Sequence, residues 1–248
     1  MTREQWQDFC TFKTELKAKI EEWTAAAPQL KDLQKIAADE AKTPEYPFEI
    51  PVVYNLALDD VKEDDDIKLI VIGDNPGKDE QLFKNSRYLV GQAGKIAEGY
   101  FRKNPELGID FRRNVIILNK TPVHSAKTAQ LKTIIKKGGP QIASLIEESQ
   151  IWMAQKTADL HIKLGTELWL VGYSELKEKG IFTSYRDSLK KACSEEAWNR
   201  LYVFQHFSMN RFSIDLADYI KAEKKENAPL ESNIHELGII HRKEIFGN

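Results

Sequence analysis

Apolar side chains recur every third or fourth position from Arg3 to about Glu40. Trp6, Phe9, Phe12, Leu16, Ile20 and Trp23 form one stripe, Pro28 interrupts it, and Leu30, Leu33, Ile36 and Ala37 form another. That period belongs to helices buried along one side, so a long and a shorter helix are predicted, packed on the rest of the chain. Thr43-Pro44-Glu45-Tyr46-Pro47 breaks the pattern, and an irregular stretch follows, ending in the acidic run Glu63-Asp64-Asp65-Asp66. The run lacks the alternating ligands and glycine of a calcium loop and reads as a solvated turn before a strand.

From there apolar runs alternate with helical patterns. The runs at 67–72, 114–118, 168–172 and 201–204 are short and near-continuous, while 93–102 and 141–164 show helical spacing. Strands apolar on both faces and separated by helices predict an α/β fold, a four-stranded parallel sheet with helices on both faces. The implied organisation is an N-terminal helical segment (1–45), an α/β domain (46–226) and a solvated C-terminal tail (227–248). His235-Glu236 and His241 in that tail lack the spacing of a zinc-binding helix.

Composition narrows the class. The 248 residues are 42% hydrophobic and 30% charged, the range of globular domains rather than disordered chains. No apolar run has the length of a membrane span. Residues Met1 to Trp6 turn amphipathic at once, without the apolar core of a secretory signal, which predicts a cytoplasmic protein. Cys10 and Cys193 lie far apart and form no C-x-x-C pair, so no disulfide scaffold, metal or cysteine-held cofactor is expected. The net charge of −2 is unevenly spread: residues 1–66 carry 16 acidic and 8 basic side chains, residues 84–137 carry 12 basic and 3 acidic. Such a basic block is either a set of solvated helix faces or a footprint for a polyanion.

Parallel sheets bind ligands beyond the carboxyl ends of their strands. Here those ends read Gly73-Asp74-Asn75-Pro76-Gly77, Asn119 to His124, Gly172-Tyr173 and Gln205 to Asn210. The first joins close-approach glycines and a fixed bend to a carboxylate and an amide. It is neither a phosphate loop nor a dinucleotide fingerprint. Asn119 offers a donor and an acceptor side by side, as reading a base edge requires. His206 offers an imidazole for charge on a leaving group, with Met209 and Arg211 beside it.

In this order the segments resemble the uracil-DNA glycosylase superfamily. Leu69 to Gly77 is similar to its first motif, and Arg87-Tyr88-Leu89-Val90-Gly91-Gln92-Ala93-Gly94-Lys95 to the stretch that follows in its iron–sulfur branch. Val115 to Asn119 resembles the strand ending in the base-reading asparagine, and Phe204 to Ser208 the last motif, usually His-Pro-Ser. Two cysteines cannot hold that branch's cluster, so no cofactor is implied. Asp74 stands where that branch has glutamate, Leu89 where the family stacks a phenylalanine, and Phe207 where it has proline.

The resemblance implies a monofunctional DNA glycosylase of base-excision repair that hydrolyses the N-glycosidic bond of uracil or another deaminated base after flipping the nucleotide. Asp74 or Asn75 would position water, and His206 would meet charge on the departing base. Gly73, Pro76, Gly77, Tyr88, Leu89, Asn119 and Ser208 would form the base pocket. Arg87, Lys120, Lys127, Met209 and Arg211 would contact DNA, single- or double-stranded, as the partner of a monomer. Two other readings stay open: a catalytically lapsed protein of this fold that binds DNA or a base, and a nucleotide or nucleoside hydrolase on a similar sheet.

Overall fold

The structure, a computed structural model, describes residues 1–247. Helices α1 (Arg3–Ala26), α2 (Leu30–Glu40) and the single turn α3 (Ala57–Asp60) precede strand β1 (Leu69–Gly73). Next come α4 (Gln92–Lys103), β2 (Val115–Asn119), α5 (Gln130–Leu164) and β3 (Glu167–Val171). Then α6 (Thr183–Ala192), α7 (Glu195–Asn199), β4 (Leu201–Phe204), α8 (Arg211–Ala222) and α9 (Leu230–Phe246) follow. The four strands pair in parallel in the order β2-β1-β3-β4.

Alternation along each strand divides the core. Ile70, Ile72, Ile116, Leu118, Leu168 and Leu170 face α1, α2, α5 and α6, whereas Leu69, Val71, Ile117, Trp169, Val171 and Phe204 face α4, α8 and α9. Both faces are therefore covered, as continuous apolar strands require. Helix α1 starts from a capping box in which the Thr2 hydroxyl accepts from Gln5 N–H and the Gln5 side chain accepts from Thr2 N–H. Its buried stripe shares the sheet's core, with Trp23 edge-on to Trp152 of α5. The chain leaves β1 for β2 and then returns past it to β3, so the crevice of this topology opens beyond the ends of β1 and β3.

Two expectations change. Helix α5 begins before residue 141: about two and a half turns from Gln130 meet the rest at Gly139, whose φ of +70° permits the kink before Pro140. The expected solvated tail is, over the described residues 227–247, no tail, because α9 covers edge strand β4. Gly238 lets the helix lie so close that a Cβ there would come within 2.7 Å of Tyr202 Cβ, and Arg242 Nη1 donates to Leu201 O at 2.9 Å. An exposed strand edge needs such a cover, and Ile234, Leu237, Ile245 and Phe246 supply its apolar side. No helix of the described residues is long and apolar enough to cross a membrane.

Candidate functional site

The carboxyl ends of all four strands meet at a cleft of about 760 Å³ lined by Asp74, Asn75, Gly77, Leu89, Asn119, Lys127, His206, Ser208, Met209 and Arg211, among others. The loop after β1 turns sharply at Asn75-Pro76 and is held from behind. His124 Nδ1 lies 2.8 Å from Pro76 O and its Nε2 3.1 Å from the Tyr46 hydroxyl. Both contacts suit a neutral ring with its proton on Nδ1, and burial pushes the His124 pKa down to about 4. Asn75 spends its amide protons on Ser125 O and Oγ, at 3.1 and 2.9 Å, leaving Oδ1 as its group for a ligand or water.

Asp74 is gripped by Lys120. The buried Nζ lies 2.6 Å from Asp74 Oδ1, 2.6 Å from Val171 O and 3.2 Å from Gly73 O, one acceptor for each proton of an ammonium. Burial pulls the Lys120 pKa down, and the Asp74 carboxylate opposes that pull. Thr128 Oγ1 donates to Asp74 Oδ2 at 3.3 Å. Opposite, Gly172 has a φ of +86°, and any Cβ there would press into Asp74 Oδ1.

Asn119 is 2% exposed, yet its Nδ2 meets no hydrogen-bond partner. Its Oδ1 is backed against Gly73, where an added Cβ would fall 2.5 Å away. A buried amide donor without an acceptor costs about 1–3 kcal/mol, and a ligand acceptor in the cleft would remove that cost. His206 is partly buried, and its Nδ1 accepts from Ser208 N–H at 3.1 Å with Ser208 Oγ at 2.8 Å. The proton of the neutral ring therefore sits on Nε2. Burial holds the His206 pKa below the ordinary histidine value, with Asp74 opposing and Lys120 assisting.

Leu89 forms an apolar part of the wall in a left-handed conformation, φ +50°. Three contacts hold it there: Arg112 Nη2 donates to its carbonyl at 2.8 Å, Gly94 passes so close that a Cβ would overlap that carbonyl, and Glu80 accepts from its backbone. Glu80 also accepts from Gly77 N–H at 3.3 Å, so one buried carboxyl ties the loop after β1 to the loop before α4. Desolvation pushes its pKa up to about 7. Sequence reasoning missed Glu80, since a carboxylate after Lys78-Asp79 reads as solvated until both loops close over it. Thr128 and Glu175 also enter the wall unannounced.

Five expected site residues lie elsewhere. Lys120 cannot meet phosphate because it is fully buried under Asp74. Arg87 faces a different cavity and pairs with Asp60. Tyr88 is no stacking platform: its ring is buried and its hydroxyl donates to Val53 O at 2.6 Å. Gly73 sits beneath Asn119, and Pro76 turns its buried face to His124. Phe207 is also fully buried, packed on Phe111 and Phe212, and anchors the loop that carries His206. Met209 projects from that loop, 74% exposed, and it and Asn210 hold positive φ angles of 53° and 57°.

The basic block does not rim the cleft. Of its twelve cations only Lys127 lines it, joined by Lys78 and Arg211 from outside the block and faced by Asp74, Asp79, Glu80 and Glu175. Helix α4 and the 110–113 loop carry Lys95, Arg112 and Arg113 to the far side of the 87–91 loop. Among the described residues Glu167, Glu231 and His235 bring ligand atoms together in a metal-like group. His235 Nε2 is 2.7 Å from Glu167 Oε1, its ring stacks on Tyr202, and Trp169 Nε1 donates to Glu167 Oε2 at 2.9 Å. Ion pairing and stacking account for this group, which lies at the opposite end of β3 from the cleft. Comparison of the chain with models of protein families, with characterised proteins and with solved structures finds no match.

Proposed function

We propose that the cleft hydrolyses the N-glycosidic bond of a deaminated base flipped out of DNA. The observation that carries this reading is the buried, unpartnered Nδ2 of Asn119, in one cleft with the Asp74 carboxylate and His206. Deamination replaces an exocyclic amino donor with a carbonyl acceptor. The Nδ2 donor attracts that carbonyl and repels an amino group, which would leave two donors facing each other in a buried site. Leu89 offers an apolar surface to the base.

Bond cleavage leaves positive charge on the sugar and negative charge on the base. Asp74, held in place by Lys120, stands as the anion for the sugar and for the incoming water, with Asn75 Oδ1 as a second acceptor. A neutral His206 donates Nε2–H to the base anion, a bond that strengthens only as charge develops. Exposed Met209, on a strained loop at the rim, is suited to fill the gap left in the duplex. Oligonucleotides containing uracil, hypoxanthine or xanthine, treated with alkali after incubation, test the reading. Excision of at least one base is expected, slowed about 10²–10³-fold by His206→Ala. Binding without excision would instead leave a base-binding module, which the near-balanced charges of the cleft wall also allow.

A further inference from the structure

Strand β2 is an edge of the sheet, and part of that edge has no cover. Leu69 N–H bonds to Asn114 O and Lys120 N–H to Gly73 O, so the even-numbered backbone groups of this stretch face β1. Those of Val115 and Ile117 face away. Further along, the 52–55 segment covers the edge: Val53 N–H bonds to Pro122 O and Asn55 Nδ2 to Ile117 O. Among the described residues, Val115 N–H, Val115 C=O and Ile117 N–H have no partner. Val115 and Ile117, 8% and 6% exposed, line a cavity of about 620 Å³ that the 87–91 loop separates from the cleft.

The charge around this cavity is sorted. Arg87 pairs with Asp60 and Arg112 with Glu98, and the third lining carboxylate, Asp65, accepts from Lys62 N–H at 2.8 Å, so five cations face three carboxylates around the cavity. Lys62, Lys95 and Arg113 are exposed, line the cavity and make no ion pair among the described residues. Val61, Val90 and the β2 side chains supply an apolar floor. Two unpaired donors and an acceptor along a strand, over an apolar floor and under free cations, are complementary to an extended peptide whose apolar residues alternate with carboxylates.

We propose that this edge docks an acidic, extended segment of a partner protein as a short fifth strand beside β2. Phosphate oxygens could meet the cations and the two N–H groups but cannot donate to Val115 C=O or cover the apolar floor, whereas the extended peptide does all four. The inference is independent of the cleft's chemistry, and activity on DNA enters none of its readouts.

The test uses a capped, fluorescent peptide of alternating valine and glutamate with the full chain. Saturable binding is expected, with the amide resonances of Val115 and Ile117 shifting in an isotope-labelled protein. N-methylation of the peptide on its pairing edge, or Lys95→Glu with Arg113→Glu, should weaken it about tenfold or more. Both changes leave the core untouched, so a folding defect does not cloud the result. Binding indifferent to N-methylation, or no saturable binding up to about 1 mM, overturns the proposal. A single-stranded oligonucleotide that depends on Lys95 and Arg113 where the peptide fails to bind would reassign the cavity to nucleic acid.

Discussion

The Nζ of Lys120 lies 2.6 Å from Oδ1 of Asp74, so the carboxylate at the head of the cleft is held from beneath by a cation with no path to solvent. The same ammonium bonds to backbone carbonyls at the ends of β1 and β3, and so pins the two strands between which the crevice opens.

Lys120→Met would strand the Asp74 carboxylate in a site built for a pair. Removing one partner of a buried pair costs about 3–5 kcal/mol, so urea unfolding at neutral pH should show a loss of that order. Adding Asp74→Asn should return at least half of it, since no charge is then left unpaired. A single-variant loss under about 1 kcal/mol would mean that the pair is weakly coupled.

Gly73→Ala places a methyl 2.5 Å from Asn119 Oδ1 and must turn that amide. The expected stability loss is about 1–3 kcal/mol. On the proposed reading, excision falls at least tenfold while binding to undamaged DNA stays unchanged. Equal selectivity in variant and wild type would show that Asn119 does not read the base.

Two buried groups tilt stability with pH in opposite senses. His124 is held at about 4 against 6.5 for a free ring, so its contribution is full above pH 6.5 and is lost as pH falls towards 4. Glu80 is raised to about 7 from 4.5, so the folded state binds the extra proton and stability falls as pH rises from 4.5 to 7. Each effect is on the order of 3 kcal/mol, and they nearly cancel in the wild type between pH 4.5 and 6.5. Glu80→Gln should therefore make stability climb with pH across that window, and His124→Gln should make it decline. Parallel pH profiles for wild type and both variants would rule this out.

Met209 holds a left-handed backbone that costs a non-glycine residue about 1–2 kcal/mol. Met209→Gly should leave thermal stability unchanged or slightly higher, because relief of strain offsets the added freedom of the unfolded chain. If Met209 fills the gap in a duplex, excision from duplex DNA should drop about tenfold and excision from single strands should not. Equal losses on both substrates would remove the wedge role.

The chain by itself determined the α/β class, the four strands, the parallel sheet and the four polar strand ends, because alternation and helical period are local properties of the chain. Asp74, Asn119 and His206 were legible for the same reason: each sits within two residues of the end of an apolar run, and the sheet carries such ends to one side. Tertiary packing alone decided which polar side chains meet solvent. Lys120 and Glu80 look like surface charges in sequence, yet both are buried, because the ends of β1 and β3 close over one and two loops over the other. Helix α9 likewise looked like a tail, since its short apolar stripe has a purpose only once β4 proves to be an edge. The basic block was read correctly as a local excess of charge, but its direction was set by the faces of α4 and the 110–113 loop. Burial and direction depend on residues distant in sequence, and no local pattern encodes them.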